Sequence, residues 1–463
     1  MRKIVIAAGV AVVFVIGVAL YALGFSGLGP SLLRPDSRNV IIISIDTLRA
    51  DHLGLYGYSR DTSPNLDKFS KEALVFDQAI AQAPFTLSSH ASILTSQYPP
   101  VHGLLGLEDV LAPSKLTLAE VLSSNGYQTA AFVGDGELES RFGFSQGFDS
   151  YIDNGGEYLE TTIPLAEAWL KSQRKGRFFL YLQGYDVHGP YEKPEPYGKM
   201  FTDPNYAGVL SDKTKYRLDY QESEPRSVLQ KIMKLNGKPV LVEDDGSSAP
   251  LTQEDVEYII ASYDGGVRHT DSLIAGFFDE LKRMGLYDNS IIIVLAGHGE
   301  SLGDDLAREA EPSSSRLFGH GQVYDELIRA PLLIKVPGLE PARISSSVQL
   351  IDLFPTILDF LGIPQSRELK SGIQGRSLTS VISGKESQEF AYGTMGSRGG
   401  LNFVRTLEWK LIRLGENAFQ LYDLKVDPKE TTDVSAEHED VASEFKKNLF
   451  EWSFKNLEKR AEP

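Results

Sequence analysis

Cysteine is absent from the 463 residues, which excludes disulfides, thiolate metal sites and cysteine nucleophiles. Histidine, carboxylates and hydroxyls are left to carry any chemistry. Positive charge is also scarce: 46 lysines and arginines face 63 aspartates and glutamates, for a net charge of -17. This argues against a broad basic surface for nucleic acid, although a local pocket can still take a small anion. What is present first is an uncharged apolar run, Ile4 to Phe25, behind Arg2 and Lys3. At about 1.5 Å per residue it spans the roughly 30 Å hydrocarbon core, and it exceeds the roughly 7 to 15 apolar residues of a signal peptide. Residues 1–26 thus read as an uncleaved transmembrane helix. With Arg2 and Lys3 held inside, the rest of the chain lies outside the cytoplasm, on a periplasmic or extracellular face.

GLGPSLLRPDS, residues 27–37, has the glycine, proline and serine of a linker. Beyond it, short apolar runs alternate with amphipathic segments. Val40 to Ile45, Thr129 to Val133, Phe178 to Leu182, Ile291 to Leu295 and Leu332 to Val336 read as strands buried on both faces. Leu116 to Ser124, Ile163 to Gln173 and Asp271 to Met284 read as helices. The pattern predicts an α/β fold with a mostly parallel central sheet flanked by helices over 38–388. A small C-terminal α+β subdomain is expected over 389–463, from the alternation in FVRTLEWKLIRL and QLYDL and a charged helix from about Ala436. Tyr191 to Pro250, rich in Pro, Gly and charge, is expected as loops over one rim, and Thr252 ahead of Asp255 as a helix cap.

In open α/β sheets ligands bind beyond the carboxyl ends of the strands. There this chain carries Asp46 after VIIISI, Asp186 and His188 after FFLYL, and His298 after IIIVL. Each alone is more often a helix cap or a structural histidine; three strands aiming such residues at one rim suggest a site. In QAPFTLSSHASILT, Thr86, Ser88 or Ser89 can cap a helix. A hydroxyl at a helix N-terminus also sits where the dipole stabilises an alkoxide and the anion it attacks.

Taken together, NVIIISIDTLRADHLGLYGY, the segment around Thr86, YDVHGPY, IIIVLAGHGESLGD, FGHGQVYDELIRAPLLIKVPG and QLYDLKVDPKETTDV resemble the sulfatase family of the alkaline-phosphatase superfamily, in that order. The resemblance implies an alkaline-phosphatase-like fold and a hydrolase cleaving a sulfuric or phosphoric ester of a glycan or lipid. It makes Asp46 a ligand of a divalent metal (Ca, Mg, Mn or Zn) and His298 a ligand or anion contact. Thr86 falls at the nucleophile, and His188 and His320 fall where histidines contact the anionic group or protonate the leaving oxygen.

Three residues depart from the family pattern. TLSSH replaces CxPSR, so no formylglycine can form at Thr86, and phosphoryl chemistry, either hydrolysis or transfer to an envelope glycan or lipid, gains weight. His90 stands at the arginine position, and Gly297 replaces the aspartate of DHGE. Losing a hard oxygen ligand weakens metal binding, so a metal-poor pseudoenzyme is the remaining alternative. Asp186, Glu300, Asp304 and Asp305 are the candidate substitutes.

Overall fold

Asn39–Ile45 (NVIIISI) is buried at every position, which a strand tolerates only where helices cover both faces of its sheet. This is β1. The computed structural model describes residues 38–461 except 135, 154–157, 173–175, 190, 192, 212–227, 236–237, 243–246, 309–316, 387–388 and 397–399. The helix expected over 1–26 and the linker over 27–37 lie outside these residues. Among the described residues no helix is long and apolar enough to cross a membrane.

The strands that follow are β2 (Leu74–Ile80), β3 (Gln128–Phe132), β4 (Ser150–Ile152) and β5 (Phe178–Gly184). A small antiparallel sheet of β6 (Ile232–Leu235), β7 (Lys238–Val242) and β8 (Ser248–Pro250) comes next, within the stretch expected as loops. Then come β9 (Ser290–Leu295), the short pair β10 (Ser301–Leu302) and β11 (Phe318–Gly319), β12 (Arg329–Lys335) and β13 (Ala342–Gln349). The eight-stranded sheet runs β13-β2-β12-β9-β1-β5-β3-β4.

That sheet is mostly parallel, as expected, and is made mixed by one strand: β12 runs antiparallel to both β9 and β2. A strand buried on both faces reads the same in either direction, so LLIKV carries no sign of the reversal. The double reversal turns β2 back parallel to β1. Its carboxyl end therefore opens on the same rim as those of β9, β1, β5 and β3.

The last four strands, β14 (Ala391–Met395), β15 (Leu401–Arg405), β16 (Trp409–Arg413) and β17 (Phe419–Asp423), form an antiparallel meander. The helix Glu439–Ala461 covers it through Phe445, Leu449 and Trp452. A buried ionic network ties this sheet to the main one. Arg405 grips Asp325 from Nε at 3.0 and 3.2 Å and from Nη2 at 2.7 Å. Lys410 Nζ reaches Asp325 at 3.2 Å and Glu430 at 2.7 Å. Asp325→Ala is expected to cost about 3 to 5 kcal/mol in chemical denaturation, because two buried cations lose a shared partner. A loss under about 1 kcal/mol would mean the junction is held by its apolar contacts instead.

The long helix Gln253–Arg283 begins with the capping box that Thr252 and Asp255 predict. From the middle of this helix Tyr263 reaches the loop after β1, where it bonds to the backbone of Thr47 and Arg49.

Candidate active site

The helix Thr86–Thr95 begins at the carboxyl rim, six residues after β2 ends. None of its three expected hydroxyls caps it: Phe85 is the N-cap, without a side-chain bond. Ser88 donates to the carbonyl of Leu104 at 2.7 Å and Ser89 to that of Gly297 at 2.6 Å. Thr86 turns instead toward the ends of β1 and β9. Its Oγ1 lies 3.0 Å from Asp46 Oδ1 and 3.1 Å from His298 Nε2, with all three residues buried.

The tautomer of His298 follows from its other nitrogen, which faces the carbonyl of Gly299 at 2.8 Å and must donate to it. Burial, then the neighbouring His320, pushes His298 well below its ordinary value, so the ring is neutral and Nε2 bears a lone pair. Two acceptors thus compete for the single proton of Thr86. Burial raises Asp46 to about 6, Glu300 adds to the rise, and His188 and the Thr86 hydroxyl moderate it. At neutral pH Asp46 is mostly ionised.

His188 and His320 stand half-buried at the mouth. The β10–β11 pair brings His320 in, with its ring 4.8 Å from that of His298 and its Nε2 3.5 Å from His188 Nε2. Burial, with the neighbouring His188 adding to it, lowers His320 to about 3. Burial would lower His188 too, but the charges of Glu300 and Asp46 outweigh it and raise it above its ordinary value. The mouth therefore holds one imidazole biased toward its protonated form and one biased strongly away from it.

His90 lies beneath this group and does not touch the Thr86 hydroxyl. Its Nδ1 donates to the carbonyl of Thr86 at 2.9 Å and its Nε2 meets Ser44 Oγ at 2.9 Å. Of the substitute carboxylates, Asp186 takes the amide of Leu159 at 2.9 Å, Asp304 pairs with Arg49 at 2.6 Å and Asp305 with Arg308 at 2.5 Å. Glu300 alone among them keeps an oxygen without a partner, as do Asp46 through Oδ2 and Thr47 through Oγ1. Thr47 also has φ +54°, a left-handed conformation that a β-branched residue rarely adopts. Tyr263 holds it there, donating to the Thr47 carbonyl at 2.9 Å and accepting the Arg49 amide at 2.9 Å.

Glu137, past the end of β3, escapes a reading of the sequence, where GDGELES looks only like a turn. The carboxyl-end rule that singles out the other strands applies to it equally. Its Oε2 is buried without a partner and its amide donates to Tyr185 Oη at 3.2 Å. Burial, then the Asp46 charge, raises it from 4.5 to about 7, against the pull of His188 and of Thr86 and Leu87 at the helix start. A raised acid contributes stability that is complete below about 4.5 and lost as pH rises through about 7. Glu137→Gln cannot ionise, so its melting temperature should overtake that of the wild type between pH 5 and 8, by the equivalent of up to about 3 kcal/mol. Parallel pH dependences would place the carboxylate in solvent.

The model of the family described as Sulfatase matches residues 38–363. The chain belongs to the sulfatase family. A second model, N-sulphoglucosamine sulphohydrolase C-terminal, matches residues 314–455. Among curated sulfatases, the ulvan-active sulfatase of Formosa agariphila is 24% identical over 85% of this chain and 76% of its own length. The arylsulfatase of Clostridium perfringens is 25% identical over 92% and 95%. Among solved structures, one in complex with its substrate D-glucosamine-2-N,6-O-disulfate has a TM-score of 0.71 at 19% identity, covering 92% of this chain and 99% of the other. The phosphonate monoester hydrolase of Agrobacterium radiobacter has 0.69 at 21%, covering 91% and 96%. Sulfatases are generally metal-dependent. The metal expected at Asp46 and His298 does not fit the residues of this one: among the described residues no three His, Asp or Glu side chains converge to hold an ion.

Proposed function

We propose that this sulfatase-family chain hydrolyses a sulfuric or phosphoric ester with Thr86 as the nucleophile. The observation that carries the reading is the Thr86 hydroxyl at a helix N-terminus, 3.0 Å from a carboxylate and 3.1 Å from an imidazole lone pair. As Oγ1 attacks sulfur or phosphorus, its proton passes to His298 Nε2, with Asp46 facing the imidazolium that forms. The helix N-terminus faces the anionic oxygens. His188, the histidine at the mouth whose surroundings favour its protonated form, gives its proton to the departing alkoxide, and His320 lines the same opening.

Threonine has no second hydroxyl with which to expel the bound group as an aldehyde, so a second nucleophile must cleave the Thr86 ester. Water gives hydrolysis; a sugar or lipid hydroxyl gives transfer, which is the second reading. The names of the relatives support a sulfated glycan, and that of the phosphonate monoester hydrolase supports phosphorus. We place the domain outside the cytoplasm, tethered by Ile4 to Phe25.

The test is turnover of an aryl sulfate, an aryl phosphodiester and an aryl phosphonate monoester by the purified full-length chain. At least one should release the aryl alcohol, and added glycerol should divert product if transfer operates. Release from none, under conditions in which the protein is folded, would end the hydrolase reading.

A further inference from the structure

Position 297 is closed to any side chain. A Cβ built on Gly297 would stand 2.5 Å from His90 Cε1 and 2.9 Å from its Nδ1, well inside contact distance. The ring has nowhere easy to go. It is fully buried, bonded at both nitrogens to Ser44 and the Thr86 carbonyl, and set edge-on to Tyr181 at 6.3 Å between centroids. Swinging it aside would break the link that fixes the first turn of the Thr86 helix to β1.

We infer that His90 and Gly297 are one coupled replacement, in which the imidazole occupies the volume a metal-binding carboxylate would need, so that Thr86 is held ready for attack without a divalent cation. The family pattern has arginine at 90 and aspartate at 297, a fixed positive and a fixed negative charge. Burial lowers His90 to about 4, so at neutral pH both charges are gone together and the net charge of the site is unchanged. Losing only the aspartate would have stranded a buried arginine; losing only the arginine would have stranded a buried carboxylate.

The remaining donors do not restore the site. Asp186, Asp304 and Asp305 are bound to Leu159, Arg49 and Arg308. Asp46, Glu137 and Glu300 keep free oxygens, but among the described residues no three His, Asp or Glu side chains converge closely enough to hold an ion. The work of a cation, drawing the proton from the hydroxyl, is left to the two acceptors already facing Thr86.

The test is the metal content of the purified full-length chain by mass spectrometry, with calorimetric titration of Mg, Mn, Ca and Zn salts. Wild type should carry well below one equivalent and give no saturable heat. Gly297→Asp alone should lower the melting temperature and still take up no metal, whereas His90→Ala/Gly297→Asp should bind Mn at least tenfold more tightly than wild type. The proposal is overturned by a stoichiometric ion in wild type, by Gly297→Asp melting like wild type, or by a folded double variant that gains no metal. Should the double variant not fold, the wild-type measurement decides alone. One arm rests on the hydrolase reading: turnover should survive EDTA, and its loss would overturn the proposal. An inactive protein would sink that reading and leave the metal measurements standing.

Discussion

Thr86→Ala is expected to lower kcat by about four to six orders of magnitude, the range seen when a nucleophile is removed and the rest of a site is kept. The hydroxyl has no structural duty that would blur the result. It neither caps its helix nor bonds to backbone; it faces Asp46 and His298, with the Glu137 carboxyl also within its reach. Stability should therefore fall by only about 1 kcal/mol, the ordinary value of a lost hydrogen bond. Thr86→Ser is the companion variant, because it keeps the oxygen and drops the methyl group. Recovery of activity in serine but not alanine, followed by burst kinetics, would locate the covalent step. A Thr86→Ala enzyme within about tenfold of wild type would remove the nucleophile from the mechanism.

His298→Ala ranks second, with an expected loss of about 10² to 10⁴ in kcat, the contribution of a well-placed general base. Its pH profile is the sharper readout. His298 is neutral across the working range, so the acid limb belongs to a carboxylate: turnover should rise as pH climbs through about 6, where Asp46 ionises. That limb should survive in His298→Ala at reduced height and flatten in Asp46→Asn. On the alkaline side activity should fall as His188 loses the proton that Glu300 and Asp46 help it to keep. An acid limb that disappears with His298 would assign the titration to the imidazole and exchange the roles of Asp46 and His298.

Much of this arrangement is legible from the rim rule alone. Asp46 and His298 follow strands whose nearly all apolar runs point to burial on both faces, and each is where its strand delivers it. Asp186 obeys the same rule and holds the amide at the start of a helix, because a carboxylate at a strand end meets a neighbouring helix as readily as a ligand. β2 and β13 escape the sequence reading: LVFDQAI and ARISSSVQ carry polar residues and lack the unbroken apolar run of a strand buried on both faces. The reversed direction of β12 and the contact between His90 and Gly297 are beyond reach for one reason. Both depend on how segments far apart in the chain meet, and local periodicity contains no information about that.

The left-handed turn at Thr47 ties Asp46 to a helix more than two hundred positions away. A backbone that would rather unwind is kept wound by one phenol, that of Tyr263, in the middle of Gln253–Arg283. Fraying of that helix would be felt first as a misplaced carboxylate and only later as unfolding. Activity in this protein should consequently fade on heating before its secondary structure does.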